Sequence, residues 1–83
     1  MPGQRKLSFK EKHALATLPG RIDGLQKEIA TLESGLADPA LFARDAAAFA
    51  AKAARLVAAK AELADAEDQW LELELKREEL EGA

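Results

Sequence analysis

Cysteine and tyrosine are missing from this 83-residue chain, histidine and tryptophan occur once each, and proline occurs three times. Without cysteine there can be no disulfide framework, thiolate metal site or thiol nucleophile, and the redox compartment is left open. Large apolar side chains are also scarce. Hydrophobic residues make up 48% of the chain, but 19 of its 83 residues are alanine, so about a quarter of the positions can anchor a core. A chain this short buries only roughly 60% of its unfolded surface in any case. Most enzymes are excluded on size alone. The longest stretch without a formal charge is residues 13–20, which contains a proline. That falls far short of the roughly 20 apolar residues of a membrane span, and no secretory leader is visible, so the chain reads as soluble and unexported.

What is abundant is charge, at 33%, together with alanine and leucine, the composition of long helices and coiled coils. Ser8-Phe9-Lys10-Glu11 has the capping-box spacing that starts a helix at Phe9. Pro19 should end or kink that helix near Leu18, because proline lacks the N–H and clashes with the preceding turn. It is equally well placed as the first residue of a following helix. Apolar residues then fall at Leu18, Ile22, Leu25, Ile29, Leu32 and Leu36, alternating four and three apart, which is a heptad seam. Asp38-Pro39 can cap a short helical turn that carries Leu41 and Phe42, and Asp45 is a second N-cap candidate. Beyond it Phe49, Leu56, Leu63 and Trp70 recur every seven residues, with Ala59, Ala66, Leu73 and Leu80 filling the other seam position.

Alanine on one seam facing leucine and isoleucine on the other allows close approach of two helices, and the short connection favours an antiparallel arrangement. The expected fold is all-α, an antiparallel two-helix coiled-coil hairpin with a short N-terminal helix kinked at Pro19 and a short helical turn at the tip. Residues 1–7 read as a linker or disordered segment, 8–80 as the coiled-coil domain and 81–83 as a disordered tail. Trp70, in register with the other large residues, is expected to pack against the stretch 15–22. Leu41 and Phe42 either cap the tip or offer an apolar contact to a partner.

Charge is segregated along the chain. Residues 1–21 sum to +4 and residues 61–83 to −7, while 22–60 are neutral. An antiparallel hairpin brings the two charged ends together, each exposed pair contributing about 0–1 kcal/mol. None of Gly3, Gly20, Gly24, Gly35 and Gly82 is followed by lysine, so the Walker phosphate loop is absent. The single His13 has no nucleophile or ligand cluster around it in sequence, and the carboxylates of residues 62–81 are spread around a helix as a solvated face. The chain therefore carries no catalytic, cofactor or metal motif. Its one candidate binding surface is basic: Lys6, Lys10, Lys12 and Arg21 at the start, and Arg44, Lys52 and Arg55 in the tip half, which could neutralise phosphates without reading sequence.

Four segments together resemble one family: Lys6-Leu7-Ser8-Phe9-Lys10-Glu11, Ala16-Thr17-Leu18-Pro19-Gly20-Arg21-Ile22, Leu36-Ala37-Asp38-Pro39-Ala40-Leu41-Phe42 and Trp70-Leu71-Glu72-Leu73. The stretch from about residue 6 to 75 resembles the C-terminal domain of Uup-type ABC-F ATPases. The resemblance implies a cytoplasmic parent protein with two ATP-binding cassettes that hold ATP and magnesium, and no membrane domain. It also implies a DNA-binding coiled coil, in proteins linked to the ribosome and to suppression of transposon excision. Nucleic-acid contact carries over onto Lys6, Lys10, Lys12, Arg21 and Arg44; Lys52 and Arg55 come from the charge map. Expected partners are thus DNA or ribosomal RNA and the parent's own cassettes. The alternative is a protein-interaction or self-associating coiled coil, a weak homodimer meeting through Leu41 and Phe42. The acidic stretch 62–81 departs from a phosphate-binding surface, which directs any nucleic acid to the basic ends and the tip.

Overall fold

The computed structural model describes residues 6–82, and the first five residues of the expected linker, together with Ala83, lie outside them. Three helices follow one another: α1 (Phe9–Leu36), α2 (Pro39–Arg44) and α3 (Ala46–Gly82). The two long helices pack side by side in a rod of 63 × 17 × 14 Å, with α2 folded across the tip. Their antiparallel sense is visible in the charge pairing. Glu11 in the first turn of α1 meets Lys76 near the end of α3, while Glu28 in the second half of α1 meets Arg55 in the first half of α3.

Local chemistry sets each boundary. The Ser8 hydroxyl accepts from the Glu11 N–H at 3.1 Å and the Glu11 carboxylate accepts from the Ser8 N–H at 2.8 Å, completing the capping box. Asp38 accepts from the Ala40 N–H at 2.9 Å, with Pro39 opening α2, and Asp45 accepts from the Ala48 N–H at 3.0 Å to open α3. Among the described residues none has a positive φ, so the reversal at the tip is made by two aspartate caps and not by glycine.

Pro19 lies inside α1, and the helix runs unbroken from Phe9 to Leu36. The expected short first helix and the stretch after it are therefore one element; Pro19 does not open a new helix. A proline within a helix costs roughly 3 kcal/mol in isolation. Here Leu18 before it and Ile22 and Leu25 after it all pack on α3, so tertiary burial holds the chain helical across the missing hydrogen bond. At its other end α3 continues two residues past Leu80, and an Arg77–Glu81 pair at 3.2 Å spans that last turn.

The core is narrow. Leu18, Leu25, Ala59 and Ala66 are its buried members, and Ile22, Ile29, Leu32, Leu63, Trp70 and Leu73 pack partly buried around them. Ala59 is fully enclosed and Ala66 is 2% exposed, less than any leucine. The alanines thus mark where the helix axes come closest, while each buried leucine contributes about 1.5–3 kcal/mol. Leu41 is buried under the tip, whereas Phe42 stays 61% exposed with its ring edge-on to Phe49 at 5.3 Å between centroids. Of the two tip residues, one caps and the other faces out.

Candidate nucleic-acid interface

The seven basic residues singled out in the sequence divide into two groups. Arg21 and Arg55 are engaged in holding the hairpin together. Arg55 grips Glu28 with two parallel hydrogen bonds, Nε to Oε2 at 2.6 Å and Nη2 to Oε1 at 2.7 Å, and donates from Nη1 to Glu62 at 2.9 Å. The other Glu62 oxygen lies 3.5 Å from Arg21. This four-residue network crosses between α1 and α3 twice. The pairing with Arg55 holds the Glu28 carboxyl below the usual glutamate range, and the two glutamates push the Arg55 guanidinium up. Lys60 likewise bridges to Glu33 of α1 at 3.3 Å, while Lys27 pairs along its own helix with Asp23 at 3.0 Å.

Lys6, Lys10, Lys12, Arg44 and Lys52 form no ion pair among the described residues, and all are exposed. The structure distributes them over three places. Lys6 and Lys12 share a small surface groove with Leu7, Arg77, Leu80 and Glu81, so residues 6 and 7, expected as linker, lie against the end of α3. Lys10 faces the opposite flank, beside Gln69 and Glu72. Arg44 ends α2 at the tip, and Lys52 lays its methylenes over Gly35, where an added Cβ would sit 3.7 Å from the lysine Cδ.

Arg77 is the cation that sequence reasoning passed over. It belongs to the acidic end, yet it stands beside Lys6 and Lys12 and is tied to Glu74 and Glu81. Glu74 is the main cause of the upward push on its guanidinium. A +7-residue step from Trp70 would have placed it on the flank facing α1. Between the two charged ends, the Arg21–Glu62 pair is joined at the base of the hairpin by a second pair of the reverse sense. The one acid of residues 1–21, Glu11, meets Lys76, one of only two bases in 61–83, at 2.6 Å. Lys76 and the Ser8 N–H together hold the Glu11 carboxyl low. Both senses of charge therefore join the two ends, and Lys6, Lys10 and Lys12 are left facing solvent.

Among the described residues no group of histidine and carboxylate side chains is arranged to hold a metal ion. No helix among the described residues is long and apolar enough to cross a membrane. His13 is exposed, and its carbonyl accepts from the Thr17 hydroxyl at 3.1 Å. What remains is an elongated rod whose base lysines and tip cations form no ion pair among the described residues, a geometry suited to sequence-independent contact with phosphates.

No curated protein and no solved structure matches the chain. A family model does: residues 6–75 match the ABC transporter C-terminal domain. The match covers the capping box, the whole of α1, the tip and most of α3, and so the chain belongs to the ABC transporter C-terminal domain family, an appended domain and not the ATP-hydrolysing cassette itself.

Proposed function

We propose that this domain is the non-catalytic nucleic-acid-binding module of an ABC-F ATPase of the Uup type, holding DNA without sequence preference through the free lysines at its base and the cations at its tip. The observation that carries this reading is the division of the cations. Those in the middle are consumed by Glu28, Glu33, Glu62 and Asp23, while Lys6, Lys10, Lys12, Arg44 and Lys52 have no acidic partner among the described residues. Lys6 and Lys12 stand beside Arg77 at the base of the rod, and Arg44 and Lys52 lie in its tip half. ATP and magnesium belong to the parent's two cassettes, and those cassettes and ribosomal RNA are the further partners of this reading.

The test is fluorescence anisotropy with a labelled 20-base-pair duplex, the chain titrated at 50 and 200 mM salt. Binding that weakens steeply with salt, and at least tenfold on changing Lys6, Lys10 and Lys12 to glutamate, is the expected result. A triple variant that binds as well as the parent removes the proposal. The exposure of Phe42 favours a second reading, a dimer formed tip to tip. Sedimentation that stays monomeric over a hundredfold concentration range rules it out.

A further inference from the structure

One flank of the hairpin carries a groove with a floor of carbon and a rim of acid. Pro19 and Ile22 of α1 and Trp70 and Leu71 of α3 line a space of about 480 Å³, with Asp23 and Gln26 on one edge and Glu67 on the other. That volume lies within the roughly 300–1,000 Å³ of a site able to seat a large side chain or small ligand. Trp70 is only partly buried, and Leu71 is 52% exposed. Leu75, one turn along α3, is 54% exposed, which continues the apolar strip beyond the groove. Neither leucine is on the seam that packs against α1, so hairpin formation does not account for their being leucine. Glu67, four residues before Leu71, makes no ion pair among the described residues, and the Asp23–Lys27 pair is an exposed contact within one helix.

We infer that this groove docks a basic amphipathic helix of a partner protein, one large apolar side chain entering between Pro19 and Trp70 and a second, one turn on, resting on Leu71 and Leu75, with lysine or arginine beside them meeting Glu67 and Asp23. This is the helix-in-groove mode, in which anchors three or four residues apart supply burial and flanking charge supplies orientation. Charge selects this occupant. A nucleic acid would bring phosphate against Asp23 and Glu67. A second copy meeting groove to groove across a two-fold axis would set Glu67 and Asp23 of one chain against the same acids of the other. A cationic helix meets Glu67 on one edge of the rim, Asp23 with its exposed Lys27 partner on the other, and carbon at the floor.

Trp70 is the single tryptophan of the chain and lines the groove, so its emission reports occupancy directly. The probe is a 14-residue helical peptide of leucine and lysine with leucine at i, i+3, i+4 and i+7 spacing. Four comparisons accompany it: the same peptide with glutamate for lysine, a leucine-free lysine peptide, and the Glu67→Lys and Leu71→Ala variants of the chain. The expected result is a saturable shift of Trp70 emission to shorter wavelength with the leucine–lysine peptide alone. Affinity should fall at least tenfold in each variant, with helical circular dichroism unchanged because both side chains are exposed or rim-placed. Equal binding by Leu71→Ala, or an equal shift from the leucine-free peptide, would overturn the inference. An emission shift that appears when the chain is merely concentrated, together with sedimentation as a dimer, would assign the groove to a second copy and overturn it as well.

Discussion

The middle of the hairpin and its two ends use the same kinds of residue for different purposes. In the middle, Ala59 and Ala66 bring the helices close, and every arginine and lysine of that region finds an acid across or along the rod. At the base and tip the helices diverge from this economy: Leu41 is the only buried side chain of the tip, Phe42 faces out, and Lys6, Lys10, Lys12, Arg44 and Lys52 face solvent without a partner among the described residues. The contrast teaches that a cation's place in the sequence does not decide its role. Arg21 and Arg55 were as basic in the charge map as Lys12 and Lys52, but the register of α1 against α3 spends the arginines on cohesion. Planar, bidentate guanidinium suits the Arg55–Glu28 contact, while Lys60 and Lys76 bridge the helices through single contacts.

The contrast can be broken first at the seam. Leu25→Ala should cost about 2–5 kcal/mol of stability, because a core this narrow has little around it to close the cavity. Ala59→Leu should cost about 1–3 kcal/mol by forcing the helices apart at a fully enclosed position. Urea unfolding followed by circular dichroism measures both. If Ala59→Leu is neutral or stabilising, the alanine seam is not the point of closest approach. At the tip, Asp38→Ala should cost about 1 kcal/mol through the lost cap on α2, visible in the same urea titration. A loss as large as that of Leu25→Ala would show that the tip contributes as much as the middle.

Acid probes the ion pairs. Glu11 and Glu28 are held below the ordinary glutamate range, by Lys76 and Arg55 respectively, so the folded chain resists protonation more than the unfolded one. Their stabilisation is present above the ordinary value of about 4.3 and is lost as pH falls through their depressed folded values. The melting temperature should therefore drop on acidification below about pH 4.3, and the drop should be shallower in Glu28→Gln. An identical pH profile for that variant would remove the Arg55 network from the set of stabilising contacts. The smallest effect concerns Gly24, whose side-chain direction is open and whose φ is not positive. Gly24→Ala should stabilise α1 by about 0.5–1 kcal/mol, read as a rise in the urea midpoint.

Most of this architecture was legible in the residues themselves. Caps announce themselves locally, and Ser8, Glu11, Asp38, Pro39 and Asp45 all stand where short-range hydrogen bonding put them. The heptad spacing located the buried residues down to the alanines. What local rules could not supply was the outcome of competition between levels. Pro19 alone argues for a helix end, but the seam residues on both sides of it pack on α3, and that burial outweighs one lost hydrogen bond. The site was legible as composition and not as geometry. Net charge indicated that basic and acidic ends would meet, and Arg21 does meet Glu62, but it could not show that the minority charges Glu11 and Lys76 also pair or that the helix register sets Arg77 beside Lys6 and Lys12. Nor does periodicity reveal that Trp70, in register with the core, keeps part of its surface open beside the off-seam Leu71.

The division between cohesive and free cations is tested most directly by removing equal charge from each. Lys6→Gln with Lys12→Gln takes two charges from the base, and Arg21→Gln with Lys27→Gln takes two from the middle. Duplex affinity of the two double variants is compared by anisotropy at one salt concentration, with their urea midpoints alongside. The base variant should lose at least tenfold in affinity with its midpoint unmoved, while the middle variant keeps its affinity within about twofold. Equal losses from the two variants would contradict the division, because binding would then follow net charge and not the placement of free lysines at the ends of the rod.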